Sequence, residues 1–269
     1  MGDQADLSVV YSGAVDDVLA AADASQQPQS LDVIYDLALA AGIHSDSVVV
    51  DAGCATGDRG RELIRRTGCR VDGVELLPQL IEWGTAATEA AGVADAMRFQ
   101  QGSILDLPIP DGYADLVLCT DVLGLIDDLP QAVAECARVL KPGAAMVVHV
   151  TVATVRMAPF EQAELDASQG TVAASMHRAT LERALAQHFT IEQAVDLGSQ
   201  HRLQAIESGN DETLTNLVRA ARLMTWPDMY RTGHGDLAYR TALTEALWGV
   251  YQLLGKLSPI VYLLRRSPN

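Results

Sequence analysis

Basic residues are scarce in this chain, and so are aromatics and cysteines. Lys and Arg number 19 against 35 Asp and Glu over 269 residues, a formal net charge of -16. A polyanionic partner would meet net repulsion, which argues against a nucleic-acid or anionic-membrane binder unless a basic patch compensates locally. The nearest thing to a patch, Arg61 with Arg65 and Arg66, reads as the solvated face of a helix. The four cysteines, Cys54, Cys69, Cys119 and Cys136, are too scattered for a zinc knuckle or a secreted disulfide framework, so a reducing compartment is expected and no metal site. No hydrophobic run approaches the ~20 residues of a membrane helix, and "MGDQADLSVV" has neither the basic start nor the long apolar core of a signal peptide. The expectation is a cytoplasmic protein whose partner is a small molecule, with no nucleic acid and no membrane; self-association as a homodimer stays open.

What is present is apolar content of 49%, enough for a sizeable core in one large domain. Its organisation shows in "SVVVDAGCATGDRG", Ser47 to Gly60. Val48, Val49 and Val50 form an unbroken β-branched run that reads as a buried parallel strand. A loop follows from Ala52 to Gly57, and Asp58 is expected to cap a helix whose apolar face includes Leu63 and Ile64. Strand, glycine loop and helix bring a ligand against backbone N–H groups. Gly53 and Gly57 are spaced G-x-x-x-G, not the G-x-G-x-x-G of dinucleotide sites, and Asp51 would repel a pyrophosphate. A ligand that needs close backbone approach and carries positive charge is S-adenosylmethionine, with its sulfonium and ammonium groups. A nucleotide-cofactor oxidoreductase is the alternative that this loop disfavours.

Further strands are read at "VDGVE" (Val71 to Glu75), "MRFQQGS" ending near Gly102, "ADLVLCT" (Ala114 to Thr120), and "KPGAAMVVHV" through Val150 after a turn at Pro142 and Gly143. "FTIEQAVDL" supplies a sixth strand and "PIVYLLRR" a seventh that pairs antiparallel. Helices fall between them, from about Pro78 to Ala91 and from Pro130 to Leu140. The fold class is α/β: a doubly wound, seven-stranded, mostly parallel sheet with N-terminal helices and a helical lid insertion between strands six and seven. A single domain is expected, with a helical cap over 1–46, a cofactor-binding core over 47–199, the lid over 200–258 and the last strand over 259–269. In the cap, Ile34, Leu37, Ala38 and Ala41 share a helical face.

With those segments in order, the chain resembles the class I S-adenosylmethionine-dependent methyltransferases of small-molecule type. "VVVDAGCATG" is similar to that family's first motif, "VDGVE" to its second, "FQQGSILDLPIPDGYADLVLCTDVL" to its third and fourth, and "ARVLKPGAAMVV" to the turn and strand that follow. The resemblance implies that Glu75 takes the ribose hydroxyls, that Gly53 and Gly57 admit the cofactor against the backbone, and that Asp51 faces the ammonium. It also implies that Cys119 and Thr120 offer carbonyls to that ammonium. Adenine would meet Ser103, where the family commonly has aspartate, the backbone N–H of Ile104, and the apolar side chain of Leu76. Ala55 stands where the family often has a glycine. These two departures leave room for a non-catalytic S-adenosylmethionine-binding regulator.

The acceptor side is read from the insertion, which holds Trp226, Tyr230, Tyr239, Trp248 and Tyr251. Amphipathic aromatics over the carboxyl ends of a parallel sheet suit an apolar or aromatic substrate. Trp226 and Tyr230, in the apparent linker "TWPDMYRTGHGD", and Tyr11 near the N-terminus are the expected substrate contacts. Candidate bases are His234, between two glycines of that linker, and Asp121 just past the fourth strand, with His177 a weaker third. The expected reaction transfers a methyl group to O, N or C of a small metabolite, releasing S-adenosyl-L-homocysteine, a chemistry common in secondary metabolism.

Overall fold

The computed structural model describes residues 14–24, 29–209 and 212–267. Tyr11, expected at the substrate, lies outside them. Helices α1 (Ala14–Ala24) and α2 (Val33–Ala40) precede β1 (Val48–Ala52), α3 (Asp58–Thr67), β2 (Arg70–Glu75), α4 (Pro78–Ala90), β3 (Met97–Gln101) and β4 (Ala114–Thr120). A 3-10 turn at Leu123–Leu125 leads to α5 (Leu129–Val139), β5 (Leu140–Ala153), α6 (Pro159–Gln169), α7 (Arg178–Leu185) and β6 (Phe189–Asp196). Then come α8 (Gln200–Glu207), α9 (Thr213–Thr225), α10 (Pro227–His234), α11 (Asp236–Leu253) and β7 (Leu257–Arg266).

Val49 and Val50 of the β1 run are fully buried, and Val48 half-buried, because the strand lies between two parallel neighbours, with Val49 opposite Val71 on β2 and Leu116 on β4. The seven strands order as β3-β2-β1-β4-β5-β7-β6, and β7 alone runs against the rest. Sequence order reverses between β1 and β4, and at such a switch point the flanking connections leave on opposite faces and open a crevice at the carboxyl ends. One face of the sheet is covered by α5 and α7 through Val133, Cys136, Leu181 and Leu185. The other is covered by α2 and α3 through Ile34, Leu37, Leu63 and Ile64.

Several local expectations change. Asp58 is the first helical residue, not the cap; Gly57 precedes it at φ 80, and the Asp58 carboxylate accepts from Thr56 Oγ1 and pairs with Arg61. Strand β5 begins at Leu140 and absorbs the expected Pro142–Gly143 turn. Helix α6, in "PFEQAELDASQ", was not legible; Pro159 starts it and Glu161 turns back to accept from Ala158 N–H at 3.1 Å. The stretch read as a linker, "TWPDMYRTGHGD", folds mostly as α10, again opened by a proline at its first position. The Arg61, Arg65 and Arg66 face is a solvated one: Glu62 holds Arg65 and Arg66, each at 2.6 Å.

Helices α8 to α11 fill the connection from β6 to β7, and α11 is tied to α6. Gln169 Nε2 donates to Thr241 O at 3.0 Å and Thr244 Oγ1 at 2.9 Å, and Arg240 pairs with Glu164 at 2.8 Å. Beneath them Leu165, Met176, Tyr251 and Leu257 form a small apolar cluster. Tyr239 and Tyr251 are therefore core residues, whereas Trp226 is 55% exposed. No helix among the described residues is long and apolar enough to cross a membrane.

Candidate active site

Beyond β1 the chain turns through three left-handed residues, Gly53 (φ 78), Ala55 (φ 47) and Gly57 (φ 80). Packing, as well as backbone angle, requires the glycines. A Cβ built on Gly53 would sit 2.3 Å from Val122 Cγ2, and one on Gly57 would sit 2.5 Å from Met97 Cε. Ala55 adopts the same left-handed region without a glycine's freedom, at a cost of roughly 1–2 kcal/mol. The loop is stitched to β2 by Gly53 N–H and Cys54 N–H, which both donate to Val74 O, at 2.8 and 3.1 Å.

Glu75 ends β2 beside this loop and is 8% exposed. Its Oε2 accepts from Ala55 N–H at 3.0 Å and its Oε1 from Leu77 N–H at 2.9 Å. The acid is thus held in place by two backbone donors, and each oxygen keeps a lone pair for a further donor. Asp51 is 1% exposed, and neither of its oxygens has a hydrogen-bond partner. Burial lifts its carboxyl from the ordinary 3.8 to about 7, with Arg59 pulling it down and Glu75 pushing it further up. A buried carboxylate without a partner is costly, and a cation brought beside it removes that cost.

Next to Glu75, Leu76 is 61% exposed at the rim, while Ile104 is buried. Ser103 Oγ accepts from Leu105 N–H at 3.1 Å, which turns it onto its own loop. Cys119 is fully buried at the end of β4, and burial drives its thiol well above the usual range, so it is an inert packing residue. No group of His, Cys, Asp and Glu among the described residues could hold a metal ion.

Asp121 follows at φ 57, a left-handed position, and its N–H donates to His149 O at 2.8 Å. Its Oδ2 lies 3.1 Å from His149 Nδ1, and its Oδ1 takes a long bond from Thr151 Oγ1 at 3.5 Å. Partial desolvation opposes ionisation of Asp121, but its surroundings, the nearby His149 ring first and then Arg59 and Thr151, outweigh it and hold the carboxyl below its ordinary value. Asp121 also lines a small cavity of ≈ 40 Å³ with Leu125, Val150, Thr151, Thr171, Met176 and Trp248. Its neighbour Val122 abuts Gly53. Asp121 therefore stands between the glycine loop and an apolar pocket beneath α11.

His149 was missed in the sequence. Its signal is a polar residue inside the apolar run "AMVVHVTV", since a polar side chain in the middle of a central strand has to find a partner. Of the other candidates, His234 is the exposed last residue of α10, and His177 is exposed ahead of α7. Tyr230 lines a separate cavity between α9, α10 and α11 with Arg219, Leu223 and Ala246. The structure gathers Asp51, Gly53, Gly57, Glu75, Cys119 and Asp121 at the carboxyl ends of β1, β2 and β4, and it places Trp226, Tyr230 and His234 on the insertion.

The strand order, the reversed last strand and the glycine loop beside an acid-tipped β2 define a class I methyltransferase fold. Residues 50–148 match the family described as Methyltransferase domain. Among curated proteins, one named "Probable tocopherol O-methyltransferase, chloroplastic", from Oryza sativa subsp. japonica, is 38% identical over 100 residues, which is 37% of this chain and 28% of that protein. The match thus spans under a third of that relative. A geranyl diphosphate methyltransferase solved with S-adenosylmethionine superposes with a TM-score of 0.65 at 20% identity, covering 87% of this chain and 85% of that one. The [4+2]-cyclase SpnF superposes at 0.68 with 19% identity, over 88% and 81%.

Proposed function

We propose that the chain is an S-adenosylmethionine-dependent methyltransferase of a small, apolar or aromatic metabolite. The observation that carries this reading is the pair of acids flanking the glycine loop: Glu75, fixed by two backbone donors, and Asp51, buried without a partner. A dinucleotide would bring phosphates toward Asp51, whereas S-adenosylmethionine brings an ammonium. Glu75 would take the ribose hydroxyls, Cys119 and Thr120 carbonyls would share the ammonium with Asp51, and Leu76, Ser103 and Ile104 would flank adenine.

When bound, the cofactor supplies an electrophilic methyl group on a sulfonium. The chain's own contribution would be alignment: the loop would fix the donor, and the surface around Asp121 and Trp248, where the small cavity opens, would receive the acceptor. The lining of Leu125, Val150, Met176 and Trp248 favours an apolar body, with Asp121 the charged group at its edge. The names of the relatives, a tocopherol and a geranyl diphosphate methyltransferase, point to the same class of acceptor. Asp121, which lines the cavity with Trp248, would receive a proton from the acceptor rather than His234 on the far end of α10. The acidic surface and reduced cysteines support a cytoplasmic enzyme.

Incubation with methyl-labelled S-adenosylmethionine and a panel of isoprenoid and aromatic alcohols, phenols and amines tests the proposal. Transfer of label to an apolar member is expected. Tight cofactor binding with no label on any acceptor would overturn the enzyme assignment and favour a regulator.

A further inference from the structure

The His149 side chain is 4% exposed, lies on β5 opposite Thr120 of β4 and Val261 of β7, and is not accounted for by packing alone. Its Nδ1 is 3.1 Å from Asp121 Oδ2 but off the ring N–H axis, so neither ring nitrogen has an aligned hydrogen-bond partner. An imidazole left in this state within a sheet costs free energy that an aliphatic side chain would not. Its neighbour bears a second oddity: Asp121 holds a left-handed backbone conformation that a non-glycine residue seldom takes, and that conformation keeps its carboxylate over β5. Two local costs on adjacent strands, one just past the end of β4 and one within β5, both serving one contact, mark a functional arrangement.

The carboxylate side of this pair opens onto the acceptor pocket, with its side chain 55% exposed, while the imidazole side is closed. The other groups around the pair are Thr151 on β5, the buried Cys119 thiol on β4, and Arg59 on α3, whose charge reaches Asp121. β7 presents Val261, and α11 presents Trp248 across the pocket. No other carboxylate lines that pocket.

We propose that Asp121 and His149 form a two-residue proton acceptor, and hence that the acceptor substrate carries a hydroxyl or phenol as its nucleophile. This rests on the methyltransferase reading above. As the oxygen attacks the methyl carbon, the C–O bond forms and the C–S bond breaks, its electron pair going to sulfur. The hydroxyl proton passes to Asp121 and from it to His149 Nδ1, leaving an imidazolium beside a carboxylate. Asp121 is the catalytic residue because it meets the substrate. His149 is a positioning residue that acts through it, and by taking the proton onward it makes a carboxylate serviceable as a base for a weakly acidic hydroxyl.

The test begins without any acceptor. In protein loaded with S-adenosyl-L-homocysteine, the Asp121 side-chain carbon and the His149 ring are followed by NMR across pH. A linked pair titrates with shared inflections in both signals. His149→Gln should leave Asp121 with one simple curve moved upward in pH, and Asp121→Asn should likewise remove the second inflection from His149. Independent curves in the wild type would overturn the inference, and so would an Asp121 curve unchanged by His149→Gln.

Steady-state rates with the phenols and amines of the panel supply the second arm. His149→Gln should lower kcat for phenols by about 10²-fold, with KM changed less than about twofold, and should abolish the acid limb of the pH–rate profile. Amines, which lose a proton without help, should be affected far less. Equal losses for both classes, or methylation of amines alone by the wild type, would contradict the proposal. Failure of S-adenosylmethionine to bind at all would instead remove the methyltransferase reading, and calorimetry on the same samples tells the two failures apart.

Discussion

Ala55 N–H donates to Glu75 Oε2 at 3.0 Å, so the loop residue forced into a left-handed turn without being glycine is also the one that anchors the acid at the end of β2. Strain in the loop and the position of the acid at the end of β2 meet at one residue.

Removal of the acid should therefore act twice. Glu75→Ala strips the acceptor from two backbone N–H groups and would remove the proposed bidentate contact to the cofactor. A loss of about 1.5–3 kcal/mol in S-adenosylmethionine affinity is expected, with a lowered Tm of the empty protein. Glu75→Gln keeps one acceptor oxygen and should lose less of both. Titration and thermal unfolding of the two variants check this, and a Glu75→Ala protein of unchanged affinity would take Glu75 out of the site.

Relief of the strained position should do the opposite. Ala55→Gly frees the left-handed residue of a cost of roughly 1–2 kcal/mol. The added freedom of the unfolded chain takes back about 0.4–1 kcal/mol. The balance is a gain of roughly 0.5–1 kcal/mol, or about 1–4 °C in Tm for a chain of this size. Scanning calorimetry measures it, and a fall in Tm would mean that the methyl group packs usefully where the backbone does not.

Asp51 sets a pH dependence whose sign follows from its raised value. The folded, empty protein holds this proton up to about pH 7, whereas an unfolded carboxyl releases it near the ordinary 3.8. Between those values the folded state binds more protons, so this residue's contribution falls as pH rises and is lost above about 7. Asp51→Asn should flatten the decline in Tm between pH 5 and pH 8, a range chosen to bracket about 7, and should raise Tm most at its alkaline end. Cofactor affinity in the wild type should strengthen over the same interval, because the ionised form is the one an ammonium stabilises. A Tm profile identical in wild type and variant would show that Asp51 is paired in solution.

Much of this arrangement was legible from composition and pattern. The valine run of β1, the alternation of strand and helix, and the acids at 51 and 75 lie within short stretches whose chemistry is local. The His149–Asp121 contact was not, because residues 28 positions apart meet only through the β4–β5 register that sets Thr120 opposite His149. The insertion was opaque for another reason. Aromatics spaced along helices read the same whether they pack or bind, and only the fold separates buried Tyr251 from exposed Trp226. Proline misled at α10, where Pro227 opens a helix in a stretch that reads as a linker, and α6, opened in the same way by Pro159, was not read at all.

That separation yields a comparison of two tryptophans. Trp248 lines the pocket with Asp121, while Trp226 lies exposed where α9 meets α10. Trp248→Ala should raise acceptor KM by about tenfold or more, the scale of removing a buried aromatic contact. Trp226→Ala should change it by less than about twofold, and both should leave cofactor affinity intact. A larger effect from Trp226 would move the acceptor to the outer helices, as the sequence alone suggested.

The most direct test of the account is a pair of calorimetric titrations of the purified chain, one with S-adenosylmethionine and one with NAD, each repeated with Asp51→Asn. Micromolar binding of S-adenosylmethionine, weakened in the variant, with no heat from NAD, is the predicted result. Saturable NAD binding in the absence of any S-adenosylmethionine heat would contradict it.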